Sequence, residues 1–121
     1  MTKLDGNRGT VLLVTPSRVT GTIWRQAVPD GYTVIHVESL LTGRQHYDEQ
    51  RASLTLIVVS DTLAGGAPAD PLLSYIRANG YRQDLILEDS GVIGSVVALG
   101  RNYKVASGDA TNLIRALLEI G

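Results

Sequence analysis

The run Leu54-Thr55-Leu56-Ile57-Val58-Val59 carries apolar, mostly branched side chains without alternation. That pattern belongs to a short strand covered on both faces, as in the middle of a parallel sheet. Directly beyond it the chain turns polar and small, through Ser60, Asp61 and Thr62 to Ala64-Gly65-Gly66-Ala67-Pro68. In open α/β sheets, sites lie just outside the carboxyl ends of central strands, so this junction is where chemistry is sought first. It offers a hydroxyl at the strand tip and a carboxylate one residue later.

The rest of the chain is organised around that strand. Residues 1–9 are polar and contain Gly6 and Gly9, the composition of a flexible leader, which leaves 10–121 as the domain. Thr10 to Thr15 is a first strand closed by Pro16. Ser17 caps a helix to about Val28, in which Val19, Ile23 and Ala27 set the inward stripe and place Trp24 at the edge of the core. Pro29-Asp30-Gly31 ends it. Tyr32 to Val37 is the second strand, and Ser39 caps a weaker helix to about Arg51, with few large apolar groups and Gly43 inside it. After the central strand, Asp70 caps a third helix with Pro71 at its first position and Leu72, Leu73, Tyr75 and Ile76 inward, stopped by Asn79-Gly80.

Asp84 to Glu88 reads as the fourth strand. From Ser90 to Gly100, Val92, Ile93, Val96, Val97 and Leu99 nearly encircle a helix, and the stretch is assigned as one although Gly91, Gly94 and Gly100 weaken it. Tyr103 to Ala106 is a last short strand, and a helix opening at Asp109 carries Leu113, Ile114, Leu117, Leu118 and Ile120 on one side. Strands and helices that alternate with short links predict an α/β, three-layer, doubly wound (βα)5 domain. Its five-stranded parallel sheet has the flavodoxin-like order 2-1-3-4-5.

Several function classes are excluded at this level. Eleven Lys and Arg against twelve Asp and Glu give no broad field for nucleic acid or an anionic membrane, so neither is expected as a partner. No run reaches the roughly 18 apolar residues of a membrane span, and the start lacks the apolar core of a signal peptide, which points to a cytoplasmic location. The chain has no cysteine, so disulfides, thiolate metal sites and cysteine nucleophiles are impossible. Walker, G-x-G-x-x-G, H-E-x-x-H and G-x-S-x-G motifs are missing, and His36 and His46 fall on different elements without a third ligand in phase. No metal, cofactor or catalytic residue is assigned.

The strand Val11-Leu12-Leu13-Val14, the approach Gly31-Tyr32-Thr33-Val34, the run Thr55 to Val59, then Ala98-Leu99-Gly100, Tyr103 and the final helix together resemble the receiver domain of two-component response regulators. The resemblance implies an acidic pair after the first strand for Mg²⁺, an aspartate ending the third as phosphoryl acceptor, a Thr or Ser after the fourth, and a Lys-Pro after the fifth. In this register the acidic pair falls on Thr15 and Pro16, the acceptor on Ser60, the hydroxyl on Asp89, and the lysine on Ala106. Such a chain has lost the hard oxygen ligands for a divalent cation and the cation that answers an added phosphoryl group. The expected function is therefore a degenerate pseudo-receiver, not an enzyme, that works as a protein-interaction and dimerisation module in bacterial signalling.

Its expected partners are a second copy and a regulatory protein or fused output domain. The surface expected to meet them holds Val92, Ile93, Val96 and Val97, rimmed by Arg101 and Lys104, unless that segment is simply deeply packed or partly strand. Two alternatives stay open. Asp61, one residue past the acceptor position, could receive a phosphoryl group, or the strand tips near Thr15, Ser17, Ser60 and Thr62 could bind a nucleotide or other small anion.

Overall fold

A computed structural model describes residues 8–92, 96–106 and 108–119. The expected leader lies, over residues 1–7, outside the described residues. Six strands form one sheet in the order β2-β1-β3-β4-β6-β5. They are β1 Gly9–Val14, β2 Tyr32–Val37, β3 Leu54–Ser60, β4 Asp84–Glu88, β5 Val97–Leu99 and β6 Asn102–Val105. All pairings are parallel except β5 with β6, which is antiparallel.

Because strand side chains alternate between faces, β1, β3 and β4 feed two cores. Leu12, Val14, Ile57, Val59, Leu85 and Leu87 point to one face, where α2 (Leu40–Gln50) supplies Tyr47 and α3 (Asp70–Ala78) supplies Leu72 and Ile76. Val11, Leu13, Leu56, Val58 and Ile86 point to the other, against Trp24 and Ala27 of α1 (Arg18–Ala27) and Ile114 and Leu118 of α4 (Ala110–Glu119). The layers are thus those expected of a doubly wound domain. No helix among the described residues is long and apolar enough to cross a membrane.

Local chemistry explains most boundaries. The Ser17 hydroxyl accepts a hydrogen bond from Thr20 N at 3.1 Å and opens α1. Ser39 and Thr42 form a reciprocal capping box that opens α2. At α3 the expected cap is corrected: Asp70 is the first helical residue, Ala69 stands at the cap, and no side chain caps it. Asp70 instead supports the helix from its first turn, where negative charge meets the positive end of the helix dipole. Gly43 lets α2 lie close to α3 and the sheet, since a Cβ there would sit 3.0 Å from Leu72 Cδ2 and 3.5 Å from Val14 Cγ1.

Two further sequence expectations fail. The buried residues of α1 are Gly21, Trp24 and Ala27, whereas Val19 and Ile23 are 70% and 48% exposed. The helix is turned by its glycine: a Cβ at Gly21 would fall 2.6 Å from the His36 ring, so only glycine lets this face approach β2 closely, and Trp24, 1% exposed, follows it into the core.

The second failure is the helix assigned to Ser90–Gly100. Val97–Leu99 is instead the edge strand β5, joined to β6 through Gly100 and Arg101. Gly100 takes a φ of 63°, a conformation that two-residue hairpin turns require and other residues resist. The described chain therefore has four α-helices and six strands where five and five were expected, and the last strand begins at Asn102, one residue early.

Tyr47 stacks edge-on with both Tyr75 and Tyr81 at centroid distances of 6.1 Å. Burial pushes the Tyr81 phenol well above its ordinary value of 10.0, with nearby Arg77 pulling the other way, and its hydroxyl donates to Asp84 O at 2.7 Å. Tyr47 is raised by burial as well. A phenol whose folded-state pKa is raised contributes stability that is complete below the unfolded value near 10 and is lost as pH climbs toward the folded value. Unfolding free energy should therefore fall as pH climbs above about 10, by about 1.4 kcal/mol per pH unit for Tyr81, whose phenol is shifted furthest. Urea titrations across about pH 9 to 11 read this, and Tyr81→Phe should remove one of the two contributions.

Candidate functional site

The strand registers place Val14, Val59, Leu87 and Lys104 side by side, so the next residues of each strand form the upper rim of the sheet. Thr15 and Ser60 meet there: the Ser60 hydroxyl donates to Thr15 Oγ1 at 2.9 Å. Thr15 is 1% exposed, and its Oγ1 also accepts from Ser17 N at 3.3 Å. Its backbone is held on both sides, since Thr15 N donates to Val37 O at 3.0 Å and Thr15 O lies 2.9 Å from His36 Nε2. In the neutral imidazole that contact makes Nε2 the donor.

The acids of the rim are turned to loop backbone. Asp61 Oδ2 accepts from Ser90 N at 3.1 Å and from Ser90 Oγ at 2.9 Å. Asp89 Oδ1 accepts from Gly91 N at 2.8 Å, and Glu88 Oε2 from Gly108 N at 3.1 Å. The sequence does not reveal these partners, because each acid reaches a loop whose course is set by the fold. Pro16 is exposed, and Ala106 is half-buried with its carbonyl accepting from Asp109 N.

Chemically, the junction of β1 and β3 is a pair of mutually bonded hydroxyls. A hydroxyl is a neutral ligand and a weak nucleophile without an adjacent base, and no group of three or more His, Asp or Glu side chains that could hold a metal occurs among the described residues. His46 bonds the Thr42 carbonyl of its own helix, away from His36.

Of the expected interface residues, Val92 is half-buried, Val96 and Val97 are exposed, and Ile93 lies outside the described residues. Arg101 is exposed, with Nη1 3.6 Å from Asp84 Oδ1, and Lys104 is exposed on β6. Val97 and Lys104 are register partners across the hairpin. They line a hollow of 760 Å³ between α3 and strands β4, β6 and β5, and Asp61 and Asp89 line it too.

Sequence reasoning missed two parts of this region. Leu99, which is 78% exposed, also lines the hollow. At its other side Arg77 donates to Tyr81 O and Gln83 O at 2.7 and 3.1 Å, to Arg101 O at 3.4 Å and to the Asn102 side chain. The Leu99-Gly100-Arg101-Asn102 turn was the available signal for the hairpin. Nothing local marks Arg77.

No protein-family model matches the chain, and no curated protein does either. Solved structures do. The signal receiver domain of a protein assigned as a Luxo repressor from Vibrio parahaemolyticus aligns at a TM-score of 0.72 and 18% identity, over 93% of this chain and 88% of that one. A response regulator receiver domain protein from Bacillus halodurans gives 0.68 and 19%, over 93% and 95%. The N-terminal domain of a response regulator/sensory box/GGDEF protein from Carboxydothermus hydrogenoformans gives 0.58 and 16%, over 92% and 91%. The fold is that of response-regulator receiver domains.

Proposed function

We propose that this chain is a receiver-fold signalling domain that does not accept phosphoryl groups and acts by binding protein in the cytoplasm. The observation that supports this most is the Ser60–Thr15 hydroxyl pair. It stands where the receiver resemblance calls for an acceptor carboxylate and one member of a cation-holding acidic pair. A phosphoryl group arriving there would find neither a carboxylate to take it nor an ammonium at Ala106 to balance it. A small-molecule phosphodonor with Mg²⁺ should leave the intact mass unchanged, and a phosphoryl adduct would overturn the reading.

A second reading has one observation in its favour: Asp61, Asp89 and Lys104 all line the same hollow. It requires Asp61 to leave Ser90 and act as acceptor. It would be supported by an adduct that disappears in Asp61→Asn and persists in Ser60→Ala.

The protein-binding half of the proposal rests on the hairpin. Val97, Ala98 and Leu99 form a three-residue edge strand whose outer side pairs with no other strand among the described residues. Antiparallel pairing of two β5 strands would join two copies into one sheet. Sedimentation should show concentration-dependent dimers that Val97→Asp weakens, and a monomer at all concentrations would contradict self-association.

A further inference from the structure

The end of the sheet opposite to β5 is formed by β2, whose outer side pairs with no strand among the described residues. β2 is six residues long, against three for β5. Its register with β1 runs without a shift from Gly9 beside Tyr32 to Val14 beside Val37. The sequence Tyr32-Thr33-Val34-Ile35-His36-Val37 holds no proline, lysine, arginine or acid. Shortness, charge, proline and bulges are the usual devices that keep sheet edges from pairing, and β2 has none of them. Thr33 is exposed, and Tyr32, Val34, Ile35 and His36 are half-buried, so the edge is within reach of another chain.

One hydrogen bond fixes which backbone groups face outward. Val37 O accepts from Thr15 N at 3.0 Å, so Val37, and with it Ile35 and Thr33, turn their N–H and C=O groups toward β1. Strand residues alternate in this respect, and Tyr32, Val34 and His36 therefore present theirs outward. The side chains alternate too. Tyr32, Val34 and His36 lie on the α1 face, and Thr33, Ile35 and Val37 lie on the α2 face with Ile35 and Val37 against its core.

We propose that β2 pairs antiparallel with β2 of a second copy, about a two-fold axis through Ile35, so that two sheets join edge to edge. A second copy fits because the edge is its own complement. In this register Ile35 stands opposite the partner's Ile35, Val34 opposite the partner's His36 and Thr33 opposite the partner's Val37, each pair on one face of the joined sheet.

Charge selects both the direction and the register. On the α1 face the groups beside the edge are Glu38 and Arg18 at its carboxyl end and Arg8, Arg25 and Asp30 at its amino end, all exposed. Antiparallel pairing brings Arg18 to the end that carries the partner's Asp30, and Arg25 to the end that carries the partner's Glu38. The two registers with the greatest overlap place the axis at Val34 or at Ile35. An axis through Val34 sets Asp30 directly opposite the partner's Glu38, which is destabilising. An axis through Ile35 separates those acids and sets Glu38 opposite the partner's Tyr32, whose ring lies 5.1 Å from the Arg8 guanidinium carbon. Unlike charges then meet at both ends of the shared edge.

The chain has no cysteine, so single cysteines read the register directly. Ile35 and the partner's Ile35 form a pair without mutual backbone hydrogen bonds, with Cα atoms about 4.5 Å apart, a span that a disulfide bridges. Under mild oxidation Ile35→Cys should give covalent dimers. Thr33→Cys, about 14 Å from its own copy in this register, should not. Sedimentation of Val97→Asp, in which the β5 edge is blocked, should still show dimers. Adding Val34→Pro removes an outward N–H while leaving the bonds to β1 in place, and should raise the dimer Kd about tenfold or more. Glu38→Arg and Arg8→Glu should each weaken the dimer, and the two together should restore it, which a misfolded chain could not do.

A Val97→Asp monomer at every concentration, with or without capture of an unrelated strand-forming peptide along β2, would overturn the pairing. Cross-linking by Thr33→Cys in place of Ile35→Cys, or failure of the double charge variant to restore association, would overturn the register. The outcomes stay separable from the readings above. Dimers lost in Val97→Asp and kept in Val34→Pro would remove the β2 pairing and leave β5 self-association standing, and the phosphodonor result bears on neither edge.

Discussion

Replacing Trp24 by alanine is expected to lower the unfolding free energy by about 3–5 kcal/mol. The indole is 1% exposed and belongs to the cluster formed by Val11, Leu13, Ala27, Val58, Ile114 and Leu118. Its removal forfeits the transfer of a large aromatic from water and leaves a cavity between β1, β3 and α4 that rigid strands cannot collapse into. Against a total stability of about 5–15 kcal/mol for a domain of this kind, the variant should be marginal. Urea denaturation reads the loss as a lower midpoint. The control is on the same helix: Val19→Ser and Ile23→Ser, at exposed positions, should change stability by no more than about 0.5 kcal/mol. If instead Ile23→Ser were costly and Trp24→Ala cheap, α1 would have to be rotated.

The second large effect belongs to Arg77. Its guanidinium donates to the carbonyls of Tyr81, Gln83 and Arg101 and to the Asn102 side chain, with its carbon 5.2 Å from the centre of the Tyr81 ring. One side chain thus ties the end of α3 to the approach to β4 and to the β5–β6 hairpin. Hydrogen bonds from a charged donor are the stronger kind. Losing several at once, partly compensated by water, should cost about 2–3 kcal/mol in Arg77→Ala. Lysine has no planar fork to reach carbonyls in several directions, so Arg77→Lys should restore little of it. Hydrogen exchange would localise the effect: amides of β5 and β6 should lose protection while those of β1 and β3 keep theirs. Uniform loss across the sheet would mean that Arg77 does not act through the hairpin.

Much of the architecture is legible in the sequence because branched apolar runs such as Leu54–Val59 have only one comfortable home, a doubly covered strand. Ser17 and Ser39 mark helix starts by a mechanism that needs no tertiary information. The misreadings have physical causes as well. Counting large apolar groups puts Val19 and Ile23 inward, but Gly21 decides the orientation of α1 because its missing side chain admits His36 of β2. A short apolar stretch such as 96–99 satisfies a helical stripe and a strand equally, and there the deciding residue is Gly100, with its φ of 63°.

At the candidate site, the neighbours Thr15 and Ser60 follow from the ends of β1 and β3. What each rim acid bonds to does not. Asp61 finds Ser90, 29 residues away, through a loop whose course no local pattern specifies. Arg77 is silent for the same reason, since two of its acceptors, the Arg101 carbonyl and the Asn102 side chain, come within reach only after β4 and β6 have paired.

The claim on which the functional account depends is that the rim formed by Thr15, Ser60, Asp61 and Asp89 cannot assemble a cation and a phosphoryl group. Beryllium trifluoride with Mg²⁺ imitates that pair without needing turnover, and amide spectra of the intact chain would report it directly. The account predicts that the Thr15, Ser60, Asp61 and Asp89 signals stay in place at saturating concentrations of both. A saturable shift centred on Asp61 and Asp89, absent with Mg²⁺ alone and lost in Asp61→Asn, would contradict it.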